Sequence, residues 1–494
     1  MHVTPMPLPD TLSPPLLWRH FALLCALPRP SRHEGRVMDY LCHWANTRQL
    51  AWRMDQGGNL LICKPATPGM EQRETVVLQG HVDMVCQQDS DGQHDFFNEP
   101  IRPYLGDDGW VRAQGTTLGA DNGIGIAAML AVLDSQDIPH PAIEALFTVN
   151  EEAGMDGAHD LATDLLSGRL LLNLDTEDWG EFYIGCAGGE DVSLRRQCER
   201  EPTPEGHGVW QLALRGLRGG HSGVDIHRHR SNATRLLARL LLSVAGRCQL
   251  RLGQLTGGTL RNVIPRESSA IFALPDDKLA ELRQAMADWQ DAWRADLAEC
   301  DHDLTLSLTP ASLTTVLSLH DQSVVLDLLN ALPDGMACLS PAVPGVVETS
   351  SNLGVVGLDN GRFHAVSMVR SLTEDGLESR VTALLACGRL AGCSGVREGS
   401  YPGWTPRPDS PLLALASQVF TRMHGQAPQV KVIHAGLECG ILLGKYPNLD
   451  VLSFGPDIRG AHSPDEQVNV ASVAAFWQFL CALLAETPLR EPVV

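Results

Sequence analysis

The chain has 494 residues, a net charge of −21, 44% hydrophobic and 20% charged residues. That length exceeds what one core usually serves, so two domains are expected, with the composition of a water-soluble globular enzyme. The negative charge repels phosphate backbones and argues against a nucleic-acid partner, and no apolar run approaches membrane-spanning length. Thirteen cysteines lie singly between Cys25 and Cys481, with no C-x-x-C pair. With no leader-like N-terminus, they read as reduced thiols of a cytoplasmic protein, not a disulfide frame or a cysteine zinc knuckle.

In chain order, an apolar helix over 15–27 is broken by Pro28 and Pro30, and Ser31-Arg-His-Glu34 reads as a capping box opening a second helix to about 46. Residues 51–55 and 60–64 form a hairpin around Gln56-Gly-Gly-Asn59. Thr75-Val-Val-Leu-Gln-Gly80 is a buried strand that runs straight into His81-Val-Asp83. Gly119-Ala-Asp121-Asn-Gly123 opens a helix over 124–133. The apolar run from Ile143 ends in Glu151-Glu152-Ala-Gly154, and Arg169-Leu-Leu-Leu-Asn-Leu174 ends on Asp175. Alternating strands and helices predict an α/β sheet, which holds its site at the carboxyl ends of its strands.

From about 190 the strands alternate apolar and polar residues, as in Val209-Trp-Gln-Leu-Ala-Leu-Arg-Gly216, the pattern of a sheet with one wet face. Residues 208–310 read strand, helix, strand, strand, helix, strand, and 312–399 read the same way with a first strand near 313–319. Two tandem βαββαβ halves in an inserted α+β domain are therefore expected. The α/β character returns after Tyr401-Pro-Gly-Trp404, with strands over 429–433 and 450–454 and helices over 411–424 and 471–486. The expected division is 1–189 and 400–494 for a split catalytic domain with a central mixed sheet, and 190–399 for the insertion.

Four apolar runs that end on a histidine or carboxylate suggest a metal site. Zinc takes imidazole nitrogen and carboxylate oxygen, and two ions about 3.5–4 Å apart can clamp one hydrolytic transition state. Asp121 is the candidate bridging anion, with His81 and Asp175 completing one ion and Glu152 and His462 the other. Side chains alternate along a strand end, so adjacent Glu151 is free to act as the base, while Asp83 sits behind His81 and fixes its ring. Gly123-x-Gly125 without a third glycine is no dinucleotide loop, and His227 and His229 read as solvated.

Gly80-His-Val-Asp-Met-Val85, Thr117-Leu-Gly-Ala-Asp-Asn-Gly-Ile-Gly125, Asn150-Glu-Glu-Ala-Gly-Met-Asp-Gly157 and Leu172-Asn-Leu-Asp175 closely resemble the aminoacyl-histidine dipeptidases of the two-zinc aminoacylase and carboxypeptidase clan. Gly219-Gly-His-Ser-Gly223, Gly257-Gly-Thr-Leu-Arg-Asn-Val-Ile-Pro265, Val347-Glu-Thr-Ser350, Tyr401-Pro-Gly-Trp404, His434-Ala-Gly-Leu-Glu-Cys-Gly440 and Gly460-Ala-His-Ser-Pro-Asp-Glu466 resemble them too. The resemblance implies the same ligands, His81, Asp121, Glu152, Asp175 and His462, with Asp83 and Glu151 catalytic. It adds His221, Asn262, Arg370 and the Gly436 loop as substrate-binding residues. It implies a homodimeric zinc dipeptidase (cobalt or manganese as substitutes) cleaving Xaa-His dipeptides such as carnosine. A broader dipeptidase or N-acyl amino acid deacylase of the clan is the nearest alternative. A non-catalytic binding protein of the same fold is the rival of another class, and the presence of all seven metal and catalytic residues argues against it.

Overall fold

The computed structural model describes residues 3–89 and 92–490. They form two compact units. One holds the described residues up to Gly185, Arg407–Val432 and those from Glu438 onward; the other holds Cys186–Pro406 and Ile433–Leu437. The second unit thus starts before the expected 190 and ends after 399, and it claims 433–437 as well. The cause is backbone pairing: Cys186 and Trp404 exchange hydrogen bonds of 3.0 and 2.9 Å, and Ala187 N donates to Ile433 O at 3.0 Å.

The first unit is built on an eight-stranded sheet in the order Ala51–Met54, Leu60–Lys64, Ile143–Thr148, Val76–His81, Leu170–Asn173, Asp450–Ser453, Glu181–Cys186, Gln429–Ile433. The four strands from Ile143–Thr148 to Asp450–Ser453 run parallel. Ile143–Thr148 and Val76–His81 are buried at every position, as strands covered on both faces must be. The helix Ala120–Asp134 packs on the helix Pro15–Cys25 and on Val76–His81, and is buried around nearly its whole circumference. A small sheet pairs Trp110–Ala113 with Gln467–Asn469. It anchors the loop before Asp121 beside the loop that carries His462.

The second unit has one nine-stranded sheet. Four helices, Ala233–Ala245, Leu279–Asp296, Leu319–Ala331 and Glu374–Leu390, supply Leu237, Leu241, Leu282, Trp293, Leu326, Leu329, Val381 and Leu384 to the core on its covered face. The first half runs Thr305–Pro310, His207–Arg215, Ser268–Pro275, Arg251–Gly257, the 4-1-3-2 order of a split βαβ unit. The second half continues with Val347–Asp359, Arg362–Ser371, Gly188–Gln197, Ser394–Tyr401. It has the same order when Gly188–Gln197 counts as its first strand. The halves are therefore nested, not tandem: the first is inserted after the opening strand of the second. The segment near 313–319 forms only Thr315–Leu317, paired with Arg200–Pro202 in a separate ribbon. Gly188–Gln197 takes its place because it is longer, buried over its first seven positions, and paired along its whole length with Arg362–Ser371.

Candidate active site

In the first unit the parallel strands deliver their carboxyl ends to one place. His81 is the last residue of its strand, Asp175 lies two residues beyond Asn173, and Glu151 and Glu152 follow Thr148. The two glutamates do not sit on extended strand, as alternation required. They occupy a turn entered through Asn150 at φ 55°. Their divergence is set instead by Asp83, whose Oδ1 accepts from Glu151 N (3.0 Å) and Oδ2 from Glu152 N (3.2 Å).

Asp121 faces both ways. Its Oδ1 lies 3.1 Å from His81 Nε2 and its Oδ2 3.2 Å from His462 Nε2. Asp175 Oδ1 is 3.3 Å from the same His81 nitrogen, and Glu152 Oε2 is 3.0 Å from His462 Nε2. Asp83 Oδ1 stands 3.4 Å behind His81 Nδ1, on the far side of the ring. Three groups, His81–Asp121–Asp175, Asp121–Glu152–His462 and His81–Glu151–Glu152, each place their ligand atoms within 4.8 Å of one another. Burial, and then the charges of Asp175, Glu152 and Glu438, raise the Glu151 carboxyl well above the usual range, His81 opposing. Burial raises Asp175 and Glu152 as well. The donor set fits divalent cations: nitrogen and oxygen ligands only, an excess of buried carboxylates over imidazoles, and Glu152 Oε1 buried without a hydrogen-bond partner.

Four supporting residues escaped the sequence reading. Ser31 caps no helix; its hydroxyl donates to Asp83 Oδ2 at 2.8 Å. Glu34 is the N-cap position itself, and its Oε1 accepts from Arg32 N and Asn150 N at 3.0 and 2.9 Å, pinning the turn before Glu151. Arg29 is fully buried and donates to the carbonyls of Val82, Asp83 and Gly119. Glu466 receives the backbone N–H groups of Leu118, Gly119, Ala120 and Asp121 at 2.7–3.2 Å, fixing the loop that presents Asp121. The only advance signal was that Glu466 closes a motif quoted above.

The second unit collects the residues expected to bind substrate. His221 Nδ1 accepts from Gly223 N (3.2 Å) and Val224 N (3.0 Å), so the proton of the neutral ring is on Nε2. Burial and then the charge of Arg370 push His221 down to about 4. Asn262 is exposed on a loop held by Asn352, whose Nδ2 donates to the Arg261 and Val263 carbonyls (2.9 and 2.8 Å). Arg370 is 4% exposed and its Nε has no hydrogen-bond partner. Gly436 follows His434, whose Nε2 lies 2.8 Å from Ser350 Oγ. Burial and then Arg370 hold His434 down at about 3.

His434 has a folded value below its free value of 6.5, so the stability it contributes is complete above pH 6.5 and is lost as pH falls toward 3. The loss between pH 7 and pH 5 is about 2 kcal/mol, equivalent to roughly 5 °C. His434→Asn lacks this term. The Tm gap between wild type and variant, measured by calorimetry on metal-free protein, should shift by that amount in the variant's favour at pH 5. A gap independent of pH would show that His434 is not held neutral.

Histidines and carboxylates meeting at the carboxyl ends of a parallel sheet define the class first: a metal-dependent hydrolase. The family model for peptidase family M20/M25/M40 matches residues 77–486, and the chain belongs to that family of metallopeptidases, enzymes that cut peptide bonds. The cytosol non-specific dipeptidase of Escherichia coli (strain K12) is 44% identical over 480 residues, covering 97% of this chain and 99% of the relative. The crystal structure of aminoacylhistidine dipeptidase from Vibrio alginolyticus superposes with a TM-score of 0.89 at 43% identity and 98% coverage of both chains. A Staphylococcus aureus tripeptidase shares the fold at 16% identity and a TM-score of 0.56, covering 96% and 98% of the two chains. The α/β class and the resemblance read from the motifs both hold.

Proposed function

We propose that the chain is a dinuclear-zinc dipeptidase with preference for Xaa-His substrates, carnosine-like ones included. The observation that carries this is Asp121, whose two oxygens each meet a different histidine, as a bridge between two ions must. His81, Asp121 and Asp175 would hold one ion, and Asp121, Glu152 and His462 the other. Two such ions supply charge stabilisation and make a water acidic at neutral pH. Glu151 takes a proton from the attacking water and returns it to the leaving amine, while Asp83 orients His81. His221 donates its Nε2–H to the scissile carbonyl. Asn262, Arg370 and the Gly436 loop bind the free carboxylate, Arg370 being a buried guanidinium with no ion-pair partner among the described residues. As the resemblance implies, the enzyme works in the cytoplasm as a homodimer, and the E. coli relative carries the word cytosol in its name. No helix among the described residues is long and apolar enough to cross a membrane.

That relative is also called non-specific, which favours a second reading: the same site with a broad range of side chains. A panel of free and N-acetylated dipeptides, offered to metal-free protein reloaded with zinc, cobalt or manganese, separates the readings. Free Xaa-His dipeptides should be cut fastest with zinc. Similar rates across all free dipeptides would establish the broad enzyme, and faster cleavage of acetylated substrates would make it a deacylase.

A further inference from the structure

The motif Tyr401-Pro-Gly-Trp404 has no part in the chemistry above, yet it begins beside Arg370. Arg370 faces Ser350 on one neighbouring strand and Gly189 on the other. Gly189 in turn faces Tyr401 on the edge strand. Directly opposed residues share a sheet face, so Ser350, Arg370, Gly189 and Tyr401 form one row across four strands. Two features put Tyr401 in that row. Glu398 faces Asp191, so simple pairing would set Ser400 against Gly189; a one-residue bulge at Gly399, φ 60°, advances the register and brings Tyr401 there. Glycine tolerates that φ and the bulge needs it. At position 189 a Cβ would lie 2.4 Å from the phenol oxygen and 2.5 Å from Cζ. The missing side chain is the gap through which the ring reaches Arg370, whose Nη1 donates to the Tyr401 oxygen at 2.7 Å.

The partner is uncharged. Burial raises the phenol above its ordinary value, Arg370 opposing, so Tyr401 stays neutral. The nearby carboxylate of Asp191 is taken by Arg261. The guanidinium is thus held by a group that orients it without cancelling its charge.

We propose that Tyr401 is a positioning residue: it fixes the Arg370 guanidinium to receive the substrate's C-terminal carboxylate, and Gly189 is the space that lets it do so. The proposal rests on Arg370 binding that carboxylate, and the experiment tests the two separately. Steady-state kinetics are measured on free dipeptides and on their C-terminal amides. Tyr401→Phe, which keeps the ring, should raise KM for free dipeptides about tenfold, the effect of one hydrogen bond to a charged group, with kcat and the amide rates little changed. Gly189→Ala should do the same, and the double variant should lose no more than either. Arg370→Ala should abolish the preference for free over amidated substrate. If that preference survives Arg370→Ala, the carboxylate reading falls and the tyrosine's role with it. If Arg370→Ala abolishes it but Tyr401→Phe leaves KM unchanged, or weakens free and amidated substrates equally, the positioning role alone is overturned.

Discussion

Glu151→Gln is expected to bind a full complement of metal and to lose about 10³-fold in kcat, the scale of a missing general base. Glu152→Gln, one residue on, is expected to lose metal from one site. Both glutamates share the turn that Asp83 holds by its two backbone N–H groups, so neither substitution disturbs the other's backbone. Their side chains differ in company. Glu152 Oε2 meets His462 at 3.0 Å, whereas Glu151 stands among the charges of Asp175, Glu152 and Glu438. The amide of glutamine retains the shape of the carboxyl but accepts no proton at neutral pH. Metal content per chain, measured alongside single-turnover rates, checks the assignment. Equal metal loss in both variants would sink the division of labour between them.

The metal cluster was legible because parallel strands covered on both faces read as unbroken apolar runs, and a histidine or acid at the end of each stands out. The apolar runs Val76–Leu78 and Leu170–Leu172 lead within three residues to His81 and Asp175. The residues holding the cluster in place were not legible, because their partners are distant in sequence. Ser31-Arg-His-Glu34 has the local grammar of a capping box, but Ser31 and Glu34 spend their hydrogen bonds on Asp83 and Asn150. A period-of-two pattern marks Gly188–Gln197 as a strand without saying where in the sheet it sits. The nesting of the halves followed from a pairing with Arg362–Ser371 that no local pattern encodes. The Tyr401 bulge was invisible for the same reason: its meaning lies in the register against Gly189.

His221→Ala is expected to lower kcat about 10²- to 10³-fold, as loss of a hydrogen-bond donor to a developing oxyanion does, and to do so within its own chain. The ring is prepared for that task, with Nδ1 occupied by two backbone N–H groups and Nε2 left as the donor. An insertion of one split βαβ unit would carry His221 alone and leave the second group to another copy of the chain. Here two such units share one continuous sheet in one chain. His221 comes from the first half and Arg370 from the second, close enough for the charge of Arg370 to depress the histidine. One chain's insertion therefore carries both of the groups proposed to bind substrate. Mixing the inactive variants His221→Ala and Glu151→Gln under conditions that exchange subunits tests this. If the histidine served the neighbouring chain, each mixed dimer would regain one intact site and activity would return to at most about a quarter of wild type. With exchange demonstrated separately by an affinity tag, the mixture should stay as silent as its components, and recovered activity would return His221 to the partner's site.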